Sequence, residues 1–432
     1  MHRIGRLLLA VGLSSCRRPA PTTVPASGSP NTASVATTKI VKTPTEELEA
    51  WLLAGCGPVE TASEPSKLAV LDPKLAKLAP AKSVFASSKG TIVHARGGEL
   101  WLVSPDGRHR RRVKREGLPA DDRPLARWSP TGDALAFVTR HGDERGRVVM
   151  LSASCQWARV LSPADYWTAP RFSTDGAWLL GAPSSKAIHL LSGSLLPEPP
   201  CSGRCVEEIG EDPWVHVRES AHAIDVARPA WKGIAFDRAW SLDLAPDART
   251  LYGFVRFRGS STVLVGGEKT LVSTDFSPIF RVLLPATLPG GKTKPLVPEY
   301  FAPGFTSIRE GWLSLSADGQ HLVALGETLL PNQPRADAQW ITTATAKTTL
   351  LGSQHKLTGA RTWISEATWS PDSSRVLLTV AVCAGEQTET APYCSDLRPE
   401  LVVADEKHAA FLAPGSRASW TSTTLLPASP EP

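Results

Sequence analysis

The chain has 432 residues, 42% of them hydrophobic, and a formal net charge of only +5. That length admits two domains or one large all-β domain, and so small a charge excludes an obligate nucleic-acid partner. Fourteen tryptophans stand against four tyrosines and two methionines, which suits an architecture whose sheets need large side chains to fill the wedges between them.

The N-terminus reads as an export signal: His2, Arg3 and Arg6, then LLLAVGL, then LSSC ending at Cys16. Its apolar run is far below the roughly 20 residues needed to span a bilayer. Leu13, Ser14 and Ser15 before Cys16 resemble the lipobox of bacterial lipoproteins, which implies acylation of Cys16, although Arg17 and Arg18 follow directly. The expected organisation is a signal peptide over 1–15 and a lipidated, disordered tether over 16–42. The tether is rich in Pro, Thr, Ser and Ala and cannot form a core. A helical extension follows over 43–82. It opens on Thr43 and Glu46, a capping box, with Pro44 at the first helical position and an apolar stripe of Leu48, Trp51 and Leu52.

From residue 83 to 426 one phrase recurs: a bulky residue, a tight turn, then a β-rich run. It appears as WSPTGDALAFV (Trp128 to Val138), FSTDGAWLLGA (Phe172 to Ala182), LAPDARTLYGFV (Leu244 to Val255), LSADGQHLVALG (Leu315 to Gly326) and WSPDSSRVLLTV (Trp369 to Val380). Pro presets φ in such turns and Gly accepts the positive φ they need, while ALAFV and RVLLTV suit buried strands. The anchors are spaced 44, 72, 71 and 54 residues apart, against about 40 to 50 for a four-stranded propeller blade. SPDG at Ser104 to Gly107 follows GELWLV and precedes RHRRRV, the order of a blade's outer half. ASWTSTTLL (Ala418 to Leu426) supplies an inner half with no outer half after it. The two termini are therefore predicted to share one blade and close the ring. The expected fold is all-β: a six-bladed β-propeller of four-stranded antiparallel blades, seven-bladed as the alternative, with a short N-terminal helix and a disordered tail over 427–432.

These phrases resemble the repeats of TolB and its relatives in bacterial envelopes, whose signature reads roughly W-S-P-D-G followed by an apolar strand. The resemblance implies the fold and an envelope setting. No counterpart of TolB's extra N-terminal domain is visible, so its partnership is not carried over.

Without Cys16, six cysteines remain. An even number in an exported chain suggests disulfides, and six allow 15 connectivities. Proximity favours Cys201 with Cys205 and Cys383 with Cys394, leaving Cys56 with Cys155 to tie the N-terminal helix to the ring. CSGRC lacks the four ligands of a structural zinc site, so no metal and no cofactor are expected. The run Arg108, His109, Arg110, Arg111, Arg112, Val113, Lys114 and Arg115 is either an anionic-partner patch or an outer strand whose charge blocks edge-to-edge aggregation. Arg127, Arg171 and Asp243, with Ser314, Thr368 and Ser419, precede the bulky anchors. They are expected near the central channel, where the first three form a candidate binding rim.

No G-x-S-x-G elbow, HExxH or phosphate loop occurs. His216 and His222 beside Glu207, Glu208, Glu211 and Asp212 form a nonspecific cluster. The reading is a non-catalytic, lipid-anchored scaffold of the bacterial envelope, periplasmic or at the outer membrane. It would be monomeric and bind an envelope protein or a peptidoglycan-associated partner, with no nucleic acid. The intervals 183–228 and 259–308 are the candidate docking surfaces. The alternative is an enzyme or ligand sensor with a site at the channel mouth.

Overall fold

The computed structural model describes residues 43–61, 78–84, 89–114, 126–139, 146–164, 171–172, 177–180, 187–190, 195–196, 203–208, 214–230, 235–265, 268–306, 308–328, 336–359, 361–383 and 396–426. The signal peptide, tether and tail readings lie outside the described residues, as do Cys16, Cys201, Cys394 and Arg115.

Seven sheets follow one another along the chain, each a meander of adjacent antiparallel strands. Blade 1 combines the C-terminal strand Ser416–Thr421 with Thr91–Arg96, Glu99–Val103 and His109–Lys114. The innermost strands of blades 2, 3, 5, 6 and 7 are Arg127–Trp128, Arg171–Phe172, Ala235–Leu244, Ile308–Leu315 and Thr362–Trp369. Each of the five bulky anchors is thus the last residue of an innermost strand. Those strands meet around an axis: blade 5 touches 6, 6 touches 7, 7 touches the C-terminal strand, and that strand touches blade 2, which touches 3. Thr421 pairs with Thr91, Trp420 with Ile92 and Ser419 with Val93, so the ring closes by joining its two ends in one blade.

The sheets among the described residues number seven rather than six. The additional one is blade 4, formed by Arg204–Glu208, Val215–Glu219 and His222–Val226. It lies inside the 183–228 interval that the sequence offers as an insertion. The interval 259–308 is likewise built into a blade: the central strands of blade 5, Thr250–Val265 and Glu268–Leu283, are 16 residues each, and Glu299–Thr306 completes the sheet. Between the last two strands the chain leans back on blade 4, where Leu296 donates to the Asp225 carbonyl and accepts from the Ala227 amide.

Apolar clusters fill the wedges between blades. Leu135, Phe137 and Val149 of blade 2 meet Val93, Leu100 and Leu102 of blade 1, and Ala136 and Val148 meet Leu179 of blade 3. Val217 and Ile224 of blade 4 meet Leu251 and Phe257 of blade 5, whose Phe254 and Ile279 meet Leu322 and Ile341 of blade 6. Trp340 of blade 6 packs on Trp369 of blade 7 with ring centres 4.8 Å apart. Leu377 and Val403 of blade 7 meet Ile92 and Val103 of blade 1. Burial of such area, at roughly 25 cal/mol per Å², is what a ring with no single central core relies on.

The repeated turn has one geometry. The fourth residue of each turn donates its amide to the carbonyl of the first: Gly107 to Ser104, Gly132 to Ser129, Ala248 to Ala245, Gly319 to Ser316 and Ser373 to Ser370. All five fourth residues have positive φ, from 54° at Ala248 to 74° at Gly107, the region that costs residues other than glycine. In the four serine-led copies the buried hydroxyl accepts the amide five residues on (His109, Ala134, His321 and Arg375) at 2.9 to 3.1 Å. It also donates to the turn aspartate: Asp106, Asp133, Asp318 or Asp372. The Ser-Asp pair of the phrase is a hydrogen-bonded brace.

The N-terminal extension lies against the blades that flank the closure. The helix Pro44–Ala54 has both halves of its capping box, between Thr43 and Glu46, and buries Leu48 and Leu52 against blades 1 and 2. Val59–Thr61 adds a fifth, antiparallel strand to blade 1. Ala79–Pro80 adds a parallel strand to blade 7 by pairing with Ala410 and Phe411. None of the helices among the described residues is long and apolar enough to cross a membrane.

Candidate functional site

Four groups of residues are candidates, and the structure treats them differently. The rim positions stand on separate blades: Arg127 on blade 2, Arg171 on blade 3 and Asp243 on blade 5. The Asp243 carboxylate accepts the Leu315 amide of blade 6 at 2.7 Å, so it serves the junction between two blades. The carbonyls of Ser314 and Ser419 accept the indole N–H groups of Trp369 and Trp128, each at 3.0 Å. At Asp243, Ser314 and Ser419 the recurring job is therefore lateral: each accepts a hydrogen bond from the next blade. A single strand's sequence carries no sign of that.

The cysteines divide between described and undescribed partners. Cys56 is bonded to Cys155, with Cα atoms 6.3 Å apart. Cys205 and Cys383 are also disulfide-bonded, and the candidate partners, Cys201 and Cys394, lie outside the described residues. Within CSGRC, Arg204 has a structural part that the sequence did not signal. Its guanidinium donates to Glu219 in its own blade and to the carbonyls of Ala248 and Ala286 in blade 5.

Of the histidine cluster, Glu211 and Asp212 lie outside the described residues, and His216 pairs instead with a carboxylate the sequence did not single out. His216 and Asp225 are directly opposed on adjacent strands, with Nδ1 2.7 Å from Oδ1, and Glu207 is opposite His216 on the other side. No group of three or more His, Cys, Asp or Glu side chains is arranged to hold a metal among the described residues.

The basic run forms the fourth strand of blade 1, His109–Lys114. Its side chains are engaged at close range. Arg110 Nε donates to Glu60 at 2.9 Å, and Arg112 lies 3.5 Å from Glu99. Arg111 donates to the carbonyls of Gly57 and Ser154. The guanidinium groups of Arg110 and Arg112 also sit over the Trp101 ring, 5.8 and 6.0 Å from its centre, in cation–π range. Lys114 is fully buried, its ammonium 2.9 Å from the Trp51 ring centre. A sequence can show the density of these charges but not the cover.

Two kinds of ionisation mark the ring. His94, buried in the second strand of blade 1, is lowered to about 4; burial dominates, the Ala95 carbonyl opposes it and Arg96 reinforces it. Asp133 is held below the usual carboxylate range by the hydroxyls of Thr131 and Ser129. For Asp318 and Asp372 burial acts upward but is outweighed by donors, led by Ser316 and Ser370. These shifts belong to packing and to the turn brace.

No family model matches this sequence, and no curated protein matches it. Among solved structures the chain is similar to TolB from Acinetobacter baumannii at 14% identity and TM-score 0.39, covering 77% of this chain and 66% of that one. It is similar to the hydrazine synthase of Kuenenia stuttgartiensis at 13% identity and TM-score 0.31, covering 67% of this chain and 64% of that one. A third likeness is to the oligogalacturonate lyase of Vibrio parahaemolyticus, at 12% identity and TM-score 0.39, covering 81% and 96%. The chain thus spans about two thirds of the first two. Such distant likenesses carry no argument about activity; the propeller rests on the sheet order and the closing strand.

Proposed function

We propose that this chain is a non-catalytic scaffold of the bacterial envelope, anchored through an acylated Cys16, whose propeller binds another envelope component. The observation that carries the reading is the surface of blade 5. Leu283, Val297 and Tyr300 are 61%, 74% and 45% exposed, and all lie within two residues of the Arg281–Glu299 ion pair. Exposed apolar side chains flanking a charged pair along two neighbouring stretches of chain fit a protein-docking edge. The lateral bonding of Asp243, Ser314 and Ser419 supports a rigid platform. Disulfides at Cys56, Cys155, Cys205 and Cys383 suit an oxidising compartment, in line with the LSSC signal.

Affinity capture from native membranes, comparing the native chain with Leu283→Asp/Val297→Asp, tests the docking patch. A defined partner retained by the native chain and lost by the variant is the expected result. Turnover of a substrate with defined kinetics, and no partner retained, would overturn the scaffold reading. Membrane partitioning of Cys16→Ser tests the anchor separately, since unchanged partitioning removes the acyl claim.

A further inference from the structure

The most basic of the described strands is also one that the N-terminal extension covers. His109, Arg110, Arg111, Arg112 and Lys114 make up all but one residue of that strand. Val59, Glu60 and Thr61 lie opposite Arg111, Arg110 and His109. Contacts from the extension then fall on the cations one after another. Glu60 accepts from Arg110 at 2.9 Å, the Gly57 carbonyl accepts from Arg111 at 3.0 Å, and Trp51 covers the Lys114 ammonium. The Gly57 amide donates to the Arg112 carbonyl at 2.7 Å. In the midst of these contacts Cys56 is bonded to Cys155 in the turn of blade 2, next to Ser154, whose carbonyl accepts from Arg111.

We propose that residues 51–61 are a disulfide-held strap over a cationic edge, and that reducing Cys56–Cys155 opens this edge to an anionic lipid surface. The strap's strand is three residues long, too short to hold an edge by its own ladder. The disulfide closes a separation of 99 residues at the point where the strap meets the ring, which keeps the strap's local concentration high. Reduction by a dithiol breaks the Sγ–Sγ bond. Two electrons and two protons pass to Cys56 and Cys155 as thiols, and the dithiol becomes its own disulfide. Once Glu60 and the Gly57 carbonyl leave, Arg110 loses its counter-charge and Arg111 its cover at an open strand edge, where lipid phosphates match them in charge and hydrogen-bond geometry. This inference does not depend on the docking patch of blade 5.

The test uses the full chain with Cys16→Ser in every arm, so that no acyl chain contributes. Co-sedimentation is measured with phosphatidylcholine vesicles with and without phosphatidylglycerol, and limited trypsin digestion reports the strap. The oxidised chain is expected to resist cleavage at Arg110 and Arg111 and to bind anionic vesicles weakly. Cys56→Ser/Cys155→Ser is expected to gain those cleavages and bind at least about tenfold more tightly, as one or two newly engaged cations would provide. Glu60→Lys, with the disulfide intact, is expected to give a smaller gain in the same direction. Unchanged vesicle binding in the double variant, with or without new cleavage, overturns the proposal. So does a gain that survives addition of Arg110→Glu and Arg111→Glu, because the surface would then lie elsewhere.

Discussion

The indole of Trp128 donates to the carbonyl oxygen of Ser419 at 3.0 Å, joining residues 291 positions apart across the junction of blades 1 and 2. The same bond recurs between Trp369 and Ser314. The bulky residue of the repeat therefore fills the wedge and also fixes one blade's height against the next. Trp128→Phe keeps most of the bulk and removes the donor, so it is expected to cost about 1 to 2 kcal/mol. Denaturant unfolding measures this; an unchanged midpoint would show that the bond contributes nothing.

Ala248 occupies the left-handed turn position with φ of 54°, where three other copies have glycine. Ala248→Gly is expected to stabilise the chain by about 1 kcal/mol, relief of strain outweighing the added freedom of the unfolded chain. Ser373, at φ 61°, is the internal control. Its hydroxyl accepts the Asp318 amide of the neighbouring blade at 3.1 Å, so Ser373→Gly loses a bond while relieving strain and is expected to gain less. The two differences in melting temperature should separate accordingly.

His94 gives the ring an acid sensitivity of definite sign. Unfolded, it takes up a proton near pH 6.5; folded, only near 4. Between those values the unfolded chain binds more protons, so stability falls as pH drops from 6.5 towards 4, by up to about 3 kcal/mol. Lower still, the depressed carboxylates of Asp133, Asp318 and Asp372 protonate and the turn braces add their own loss. Unfolding free energy measured against pH should lose the upper part of this slope in His94→Gln and keep the lower.

Asp337 is a buried carboxylate that organises the end of blade 6. It accepts the amides of Ala338, Gly352 and Ser353 and the hydroxyl of Ser353, at 2.7 to 3.1 Å, fixing the short helix Leu351–Gln354. Asp337→Ala would leave the Ala338 and Gly352 amides buried without this acceptor and release Ser353 to solvent, at an expected cost of about 2 to 4 kcal/mol. Equilibrium unfolding checks it.

What the sequence reveals follows from what a local phrase can encode. Trp128, Phe172, Leu244, Leu315 and Trp369 were legible because turn chemistry and a buried strand follow each of them directly. The joining of Ser416–Thr421 to Thr91–Arg96 was legible because each end carries half a phrase. Blade 4 was not. Its strands alternate, but His216, Arg218 and Asp225 occupy one face, so no long apolar run marks them, and its hairpin turns at Ser220 rather than at an SPDG turn. The place of Asp243 just before the bulky Leu244 is legible by order, but its bond to Leu315 belongs to a different blade. The extension's strands, two and three residues long, are too short to show any period.

The pairing of Thr91 with Thr421 also sets a schedule. Blade 1 lacks its innermost strand until Ser416–Thr421 has emerged, so the ring stays an open arc until that point of synthesis. Closure then brings together residues more than three hundred positions apart, the kind of contact that makes folding slow. Until that strand arrives, the free edge of Thr91–Arg96 is open to mispairing. Shortening the chain by its last few strand residues should therefore affect the yield of folded protein far more than its spectroscopic strand content.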